Sequence, residues 1–219
     1  MKKFLICLSI FLLSIISPFG YAQNFLGPKQ IVQGTADSVL AEVNLRREEL
    51  EADSTLIYPL VEKMILPHFD FEAMTRFAMG RFWRYASSQQ QRRLIAEFQE
   101  LLVRTYATAL LSYSGQDIEY FPINFLNEGR EAIVPTKIAY QGGPPIPINY
   151  RLRIENQDNT WLVFDVVIDG ISLVTNYRST FVRLIRVGGG GERDRRARLT
   201  KGIDNLIKVL SKKNDRSTK

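Results

Sequence analysis

The chain is 219 residues long, 45% hydrophobic and 11% aromatic, with 29 basic and 23 acidic side chains and a formal net charge of +6. That much apolar material supports one full core in one domain. The basic excess is too mild to argue for a nucleic acid partner, and it suits transient contact with acidic partners or an anionic membrane surface.

The first residues read as an export signal. Lys2 and Lys3 make a short basic start, an apolar run extends from Phe4 to Ile16, and Pro18 and Gly20 end it. Gly20 and Ala22 are the small residues expected just before a cleavage site. The run is too short for a comfortable transmembrane helix, which needs about 20 apolar residues. A signal peptide over 1–22, cleaved after Ala22, is the expectation, with the mature chain exported. Cys7, the only cysteine, leaves with it, so neither disulfides nor thiol chemistry are expected.

Residues 28–86 have helical patterning. Ile31, Ala36, Val39, Leu40 and Val43 recur at helical spacing. Ser54 is placed to cap a second helix that Pro67 stops, and Asp70 a third that ends before Gly80. The clearest helix spans 88–113: Ser88 and Gln91 form a capping-box pattern, and Leu94, Phe98, Leu101, Leu102, Ala109 and Leu110 mark one wide apolar face.

From Asp117 the period changes to two. Strands are expected around 118–125, over 132–140, over 146–154 and over 160–169, with a strong turn at 141–145 and a brief continuation over 171–175. Asn176 or Ser179 can open a helix reaching Arg186. Residues 188–199, glycine-rich and then charged, read as a flexible insertion, 200–211 as a short closing helix, and 212–219 as a disordered tail. Helices, then an antiparallel meander, then a closing helix give an α+β order: a helical layer on a curved four- to five-stranded antiparallel sheet. The main domain is expected over 23–187.

Catalytic chemistry is sparse. His68 is the sole histidine, so neither a multi-histidine metal site nor a serine–histidine–aspartate triad has its partners. His68 lies beside Asp70 and reads as a junction residue. Asp165 and Asp169 fall on one face of a strand by the period of two, and read as a solvated face and a turn cap. Aromatic and aliphatic bulk is what the chain has in abundance. A helix layer on a curved sheet either packs it solid or leaves a cavity between the layers.

Several ordered motifs resemble one family. Leu66-Pro67-His68-Phe69-Asp70-Phe71, then Thr75-Arg76-Phe77-Ala78-Met79-Gly80-Arg81-Phe82-Trp83, are similar to the helical half of the MlaC/Ttg2D proteins. Gly143-Pro144-Pro145, Tyr150-Arg151-Leu152, Trp161-Leu162-Val163-Phe164-Asp165 and Gly170-Ile171-Ser172-Leu173 resemble the sheet half, and Gly202-Ile203-Asp204-Asn205-Leu206-Ile207 the closing helix. The segment from Val187 to Leu199 departs from the pattern.

The resemblance implies a periplasmic phospholipid carrier of the Mla system, not an enzyme. It would carry lipid as cargo, with no cofactor and no metal, between an outer-membrane lipoprotein–porin complex and the ring subunit of an inner-membrane ABC transporter. An apolar cavity between helices and sheet follows as an expectation. Its expected lining is Phe98, Leu102, Tyr106, Leu110, Tyr150, Leu152, Val166, Ile168 and Ile171, with Arg81, Arg84, Arg92 and Lys137 meeting the headgroup or a partner. An envelope chaperone with protein clients and a pocket enzyme using His68 or Asp165 are the alternatives.

Overall fold

The computed structural model describes residues 26–113, 115–139, 143–155 and 159–216; the expected signal peptide lies outside them. Pro28 opens α1 (Pro28–Leu45), where a missing N–H costs nothing and φ is already helical. After α2 (Arg47–Ala52), Asp53, not Ser54, caps a 3-10 turn by accepting the Thr55 N–H at 2.9 Å. The turn leads into α3 (Ile57–Met64), and Pro67 sits in the 3-10 turn that ends this helical run. Asp70 caps α4 (Phe71–Met79), and Gly80 then turns the chain at φ +51.

The cap of α5 (Ser88–Tyr106) is a reciprocal pair one residue earlier than expected. Gln90 N–H donates to Ser87 Oγ, and Ser87 N–H to Gln90 Oε1. A 3-10 segment, Ala107–Ser112, carries the chain on from it.

Six strands follow, all antiparallel: β1 (Ile118–Tyr120), β2 (Asn124–Leu126), β3 (Glu131–Ile138), β4 (Ile146–Ile154), β5 (Trp161–Ile168) and β6 (Ile171–Ser172). β1 and β2 both pair with the same edge of β3, so the first expected strand is two short ones. Pro135 faces the break between them, where its missing N–H interrupts no ladder bond. A register shift at Arg151 and Leu152 curves the β4–β5 pair.

Asp169 and Gly170 form the two-residue β5–β6 turn, both at positive φ. Asp169 therefore does not share a face with Asp165, which is buried. Its carboxylate accepts from Ser172 Oγ at 2.7 Å and from Val174 N–H at 3.2 Å, with Arg151 at 3.6 Å. Ser172 also caps α6 (Leu173–Gly188), so this helix starts three residues before Asn176 and the strand stops at Ser172.

The expected flexible insertion is a tight turn. α7 (Arg195–Arg216) takes in 195–199 and continues through 212–216, part of the expected disordered tail. The glycines serve close helix contact: a Cβ on Gly188 would collide with Asn205, and one on Gly202 with the Ile185 carbonyl. Buried Asn214 near the end of α7 donates to Glu97 Oε2 at 2.9 Å, tying it to α5.

The buried side chains fall into three groups. One joins α4, α5, α6 and α7, a second joins α1 to the sheet, and a third joins α1, α2 and α3 to the end of α5. Asp70 links the layers. Its N–H donates to Val163 O at 2.9 Å, and its carboxylate takes Arg153 Nε at 2.7 Å while capping α4. Asp70→Ala should lower stability by about 2–4 kcal/mol, from a lost cap and a stranded, partly buried arginine. Asp70→Asn should lose less, because an amide still caps. Urea unfolding midpoints of the two variants measure the split.

An uncharged hollow between the helix layer and the sheet

The three groups of buried side chains do not close on one another. Between them lies a hollow of about 590 Å3, within the range of ligand cavities. α1 gives it Ile31, Ala36, Val39 and Leu40 from the stripe whose spacing marked the helix, with Val32 beside them. Phe69, Phe71 and Met74 stand where α4 meets the sheet, with the two phenylalanine rings stacked at 5.8 Å. The late part of α5 and the segment after it supply Leu102, Val103, Tyr106, Ala107 and Leu110. The sheet presents Ile138, Ile146, Ile148, Tyr150, Val163, Val166 and Ile168.

Two properties of the wall decide what fits. Among the described residues it contains no Asp, Glu, Lys or Arg. A largely apolar space of this size suits an apolar ligand, since its wall of Ile, Val, Leu and Phe offers water few partners. The second property is a polar end. Ser112 and Ala139 are exposed and Tyr113, Gln116 and Ile146 partly so, which places the mouth at the Ile138–Ile146 end of the sheet. Arg47 braces this end by donating to Tyr113 O at 2.9 Å and to Asn44 Oδ1 at 2.6 Å.

Six of the nine residues expected in the lining stand in this wall: Leu102, Tyr106, Leu110, Tyr150, Val166 and Ile168. Three do not. Phe98 is 0% exposed and packs edge-on against Tyr177 and Phe181 in the four-helix group. Leu152 is fully buried between α1 and the sheet, below the hollow. Ile171 is 61% exposed on the two-residue edge strand.

The four expected cations are also elsewhere. Arg81 lies over Phe82, Arg84 over Tyr85, and Arg92 is exposed on α5. Lys137 is on the sheet face opposite the hollow, over Phe121. His68 does line the hollow, while the carboxylate of its neighbour Asp70 is held by Arg153.

The wall's few polar atoms come from Thr35, His68, Tyr106, Ser112, Tyr113, Gln116 and Tyr150, and two further raised phenols, Tyr177 and Tyr120, lie outside it. Burial pushes the Tyr150 hydroxyl up from its ordinary value. Burial, then the nearby hydroxyl of Tyr106 and a hydrogen bond with it, hold Tyr177 at about 12 despite an opposing bond with Thr105. Tyr120 is also pushed to about 12, by burial first and then by Asp37.

A helical layer held over a curved antiparallel sheet, with an uncharged hollow between and a polar mouth, defines an α+β protein built to enclose an apolar ligand. The chain belongs to the MlaC protein family, whose profile matches residues 33–212. It is 26% identical over 163 residues to the toluene tolerance protein ttg2D of Pseudomonas putida, covering 74% of each chain. It is 23% identical over 163 residues to the intermembrane phospholipid transport system binding protein MlaC of Haemophilus influenzae, covering 74% of this chain and 76% of that one. A phospholipid-binding protein from Ralstonia solanacearum, solved in complex with a phospholipid, superposes with a TM-score of 0.75 at 28% identity. That match covers 89% of this chain and all of the other.

The raised phenols set a pH dependence. The folded state keeps protons that the unfolded chain releases near pH 10, so their contribution is complete below pH 10 and is lost as pH rises through about 12. Urea midpoints should therefore fall across that window, with a late-titrating group of phenols in the ultraviolet tyrosinate signal.

Proposed function

We propose that this protein is a periplasmic carrier that shields the acyl chains of a phospholipid in the hollow and leaves the headgroup at the mouth. One observation carries the reading: an internal space of about 590 Å3 whose wall, among the described residues, bears no acidic or basic side chain apart from His68. Two acyl chains of ordinary length cost roughly 20–25 kcal/mol to expose to water, at about 0.8 kcal/mol per CH₂. A wall of Ile, Val, Leu and Phe replaces the bilayer around them. A phosphate inside this wall would be a buried charge without a partner, so the headgroup stays in water. Membership of the MlaC family and the phospholipid held by the Ralstonia solanacearum relative support the same reading.

In this role the protein takes phospholipid from one membrane complex and gives it to another. The two are the outer-membrane lipoprotein–porin complex and the inner-membrane ABC transporter ring, and the traffic between them maintains outer-membrane lipid asymmetry. The residues that carry the cargo are Leu102, Tyr106, Leu110, Tyr150, Val166 and Ile168, with Ile31, Val39, Phe69 and Ile148 beside them.

Native mass spectrometry of gently purified protein should show an added phospholipid mass, and an organic extract should give a phospholipid spot on thin-layer chromatography. A clean apo mass with an empty extract overturns the reading. Val166→Trp fills the hollow and should remove most of the lipid while circular dichroism stays native. Ile171→Trp adds the same bulk on the exposed edge strand and should leave the lipid content unchanged.

A further inference from the structure

A second cavity, a groove of about 680 Å3, lies between the 3-10 segment Gly80–Tyr85 and the start of α5 on one side and the start of α7 on the other. It shares no lining residue with the hollow. Three guanidinium groups border it, those of Arg84, Arg195 and Arg196. Its two acids are already engaged: Asp194 Oδ1 accepts the Ala197 N–H at 2.7 Å, and Asp204 Oδ1 accepts Gln90 Nε2 at 2.7 Å. Among the described residues no carboxylate pairs with any of the three arginines, and Arg84 only donates to Tyr85 Oη.

The placement of this charge works against the helix that bears it. Residues 193–201 carry five cations, Arg193, Arg195, Arg196, Arg198 and Lys201, against the single acid Asp194. α7 has no acidic residue in its first turn. A helix N-terminus is the positive end of the macrodipole, so cations there are unfavourable, and the Asp194 carboxylate that caps α7 offsets only part of the five. The N-terminus of α5 opens into the same groove through Ser87 and Gln89. Four of the lining residues, Asp194, Arg195, Arg196 and Leu199, come from the turn between α6 and α7 and the start of α7.

We propose that this groove docks an acidic segment of a partner protein. Guanidinium forks match carboxylates in pairs, and three of them along a groove suit successive acidic side chains of an extended chain. Tyr85 and Leu199 offer apolar contact between those positions, and buried Ala86 and Gln90 form part of the lining. A peptide strand reaches down to such residues, whereas a flat bilayer surface meets only the outer rim.

The test uses the full mature chain and a fluorescein-labelled peptide of alternating Glu and Ala, read by anisotropy. The unmodified protein should bind this peptide, more weakly as salt rises, and should not bind its Lys–Ala counterpart. Arg195→Glu with Arg196→Glu should weaken binding by about tenfold or more. Lys208→Glu with Lys212→Glu, exposed further along α7 and equal in charge change, should leave it unaltered. Arg195→Ala with Arg196→Ala serves if the charge reversal does not fold, and should show a smaller loss in the same direction. Absence of peptide binding, or equal loss in the groove and control variants, overturns the proposal. So does arginine-dependent binding to phosphatidylglycerol vesicles without peptide binding. Lipid content is measured in every variant, so a failed groove and a failed hollow are told apart.

Discussion

The hollow depends on one aspartate. Asp70 sits where the helical layer first touches the sheet, and three of its groups act at once. Its N–H is given to Val163 O, one carboxylate oxygen caps α4, and the other holds Arg153 from the neighbouring strand. The layers are thereby fixed together at the end where Phe69 and Phe71 stack. Asp165 fixes α6 to the sheet in the same manner, through Ser172 and the Val174 N–H. Both ties use carboxylates with nearly full sets of donors, the condition under which a buried charge is tolerated. Away from the Asp70 tie the layers diverge toward Ile138 and Ile146, and apolar side chains line a space they do not fill.

α5 explains why an apolar face was readable while its use was not. Its early turns bury Leu94, Phe98 and Leu101 against α6 and α7, where the packing is dense and aromatic. From Leu102 on, the adjoining side of the helix, roughly 100° round, turns Leu102, Val103 and Tyr106 toward the hollow. The spacing of residues is continuous across the change, because periodicity reports only which side of a helix avoids water. Whether another side chain or an empty volume stands opposite depends on partners distant in sequence. Phe98 and Leu152 were thus expected in the wall and lie in solid core. Ile31 and Val39 had their spacing recognised and their place in the wall missed.

The fold itself was more legible. The change from a helical period to a period of two after Asp117 located the sheet, and alternation from Ile146 to Ile154 identified its central strand and inner face. Terminal details shifted by a residue, as from Ser88 to Ser87, because either serine satisfies the same cap chemistry. The larger misreading was at 188–199. A run of four glycines followed by arginines has the composition of a linker. Gly188 is there because α6 and α7 approach too closely for a Cβ, a reason that exists only once both helices are in place. Asn214 was unreadable for a similar cause, since its partner Glu97 is 117 residues away.

Charge is segregated across the molecule in a way that fits a carrier. The hollow has no Asp, Glu, Lys or Arg in its described wall, and the polar groups at its mouth are the hydroxyls of Ser112 and Tyr113 and the amide of Gln116. The groove's arginines stand instead near the start of α5: Arg84 in the 3-10 segment before it, and Arg195 and Arg196 on the facing end of α7. α5 rises about 24 Å from Gln90 to Tyr106, so one rigid helix separates the groove at its beginning from the hollow at its end. Cationic groups beside the hollow would lower the cost of drawing a phosphate inward and would hold cargo that has to leave. Arg47 does stand at the mouth, but its guanidinium is held by Tyr113 O and Asn44 Oδ1; the arginines of the groove, at the far end of α5, leave the mouth unobstructed. A partner grasped there holds the protein without covering the path its ligand takes, and the helix that forms one wall of the hollow also sets the distance between grip and opening.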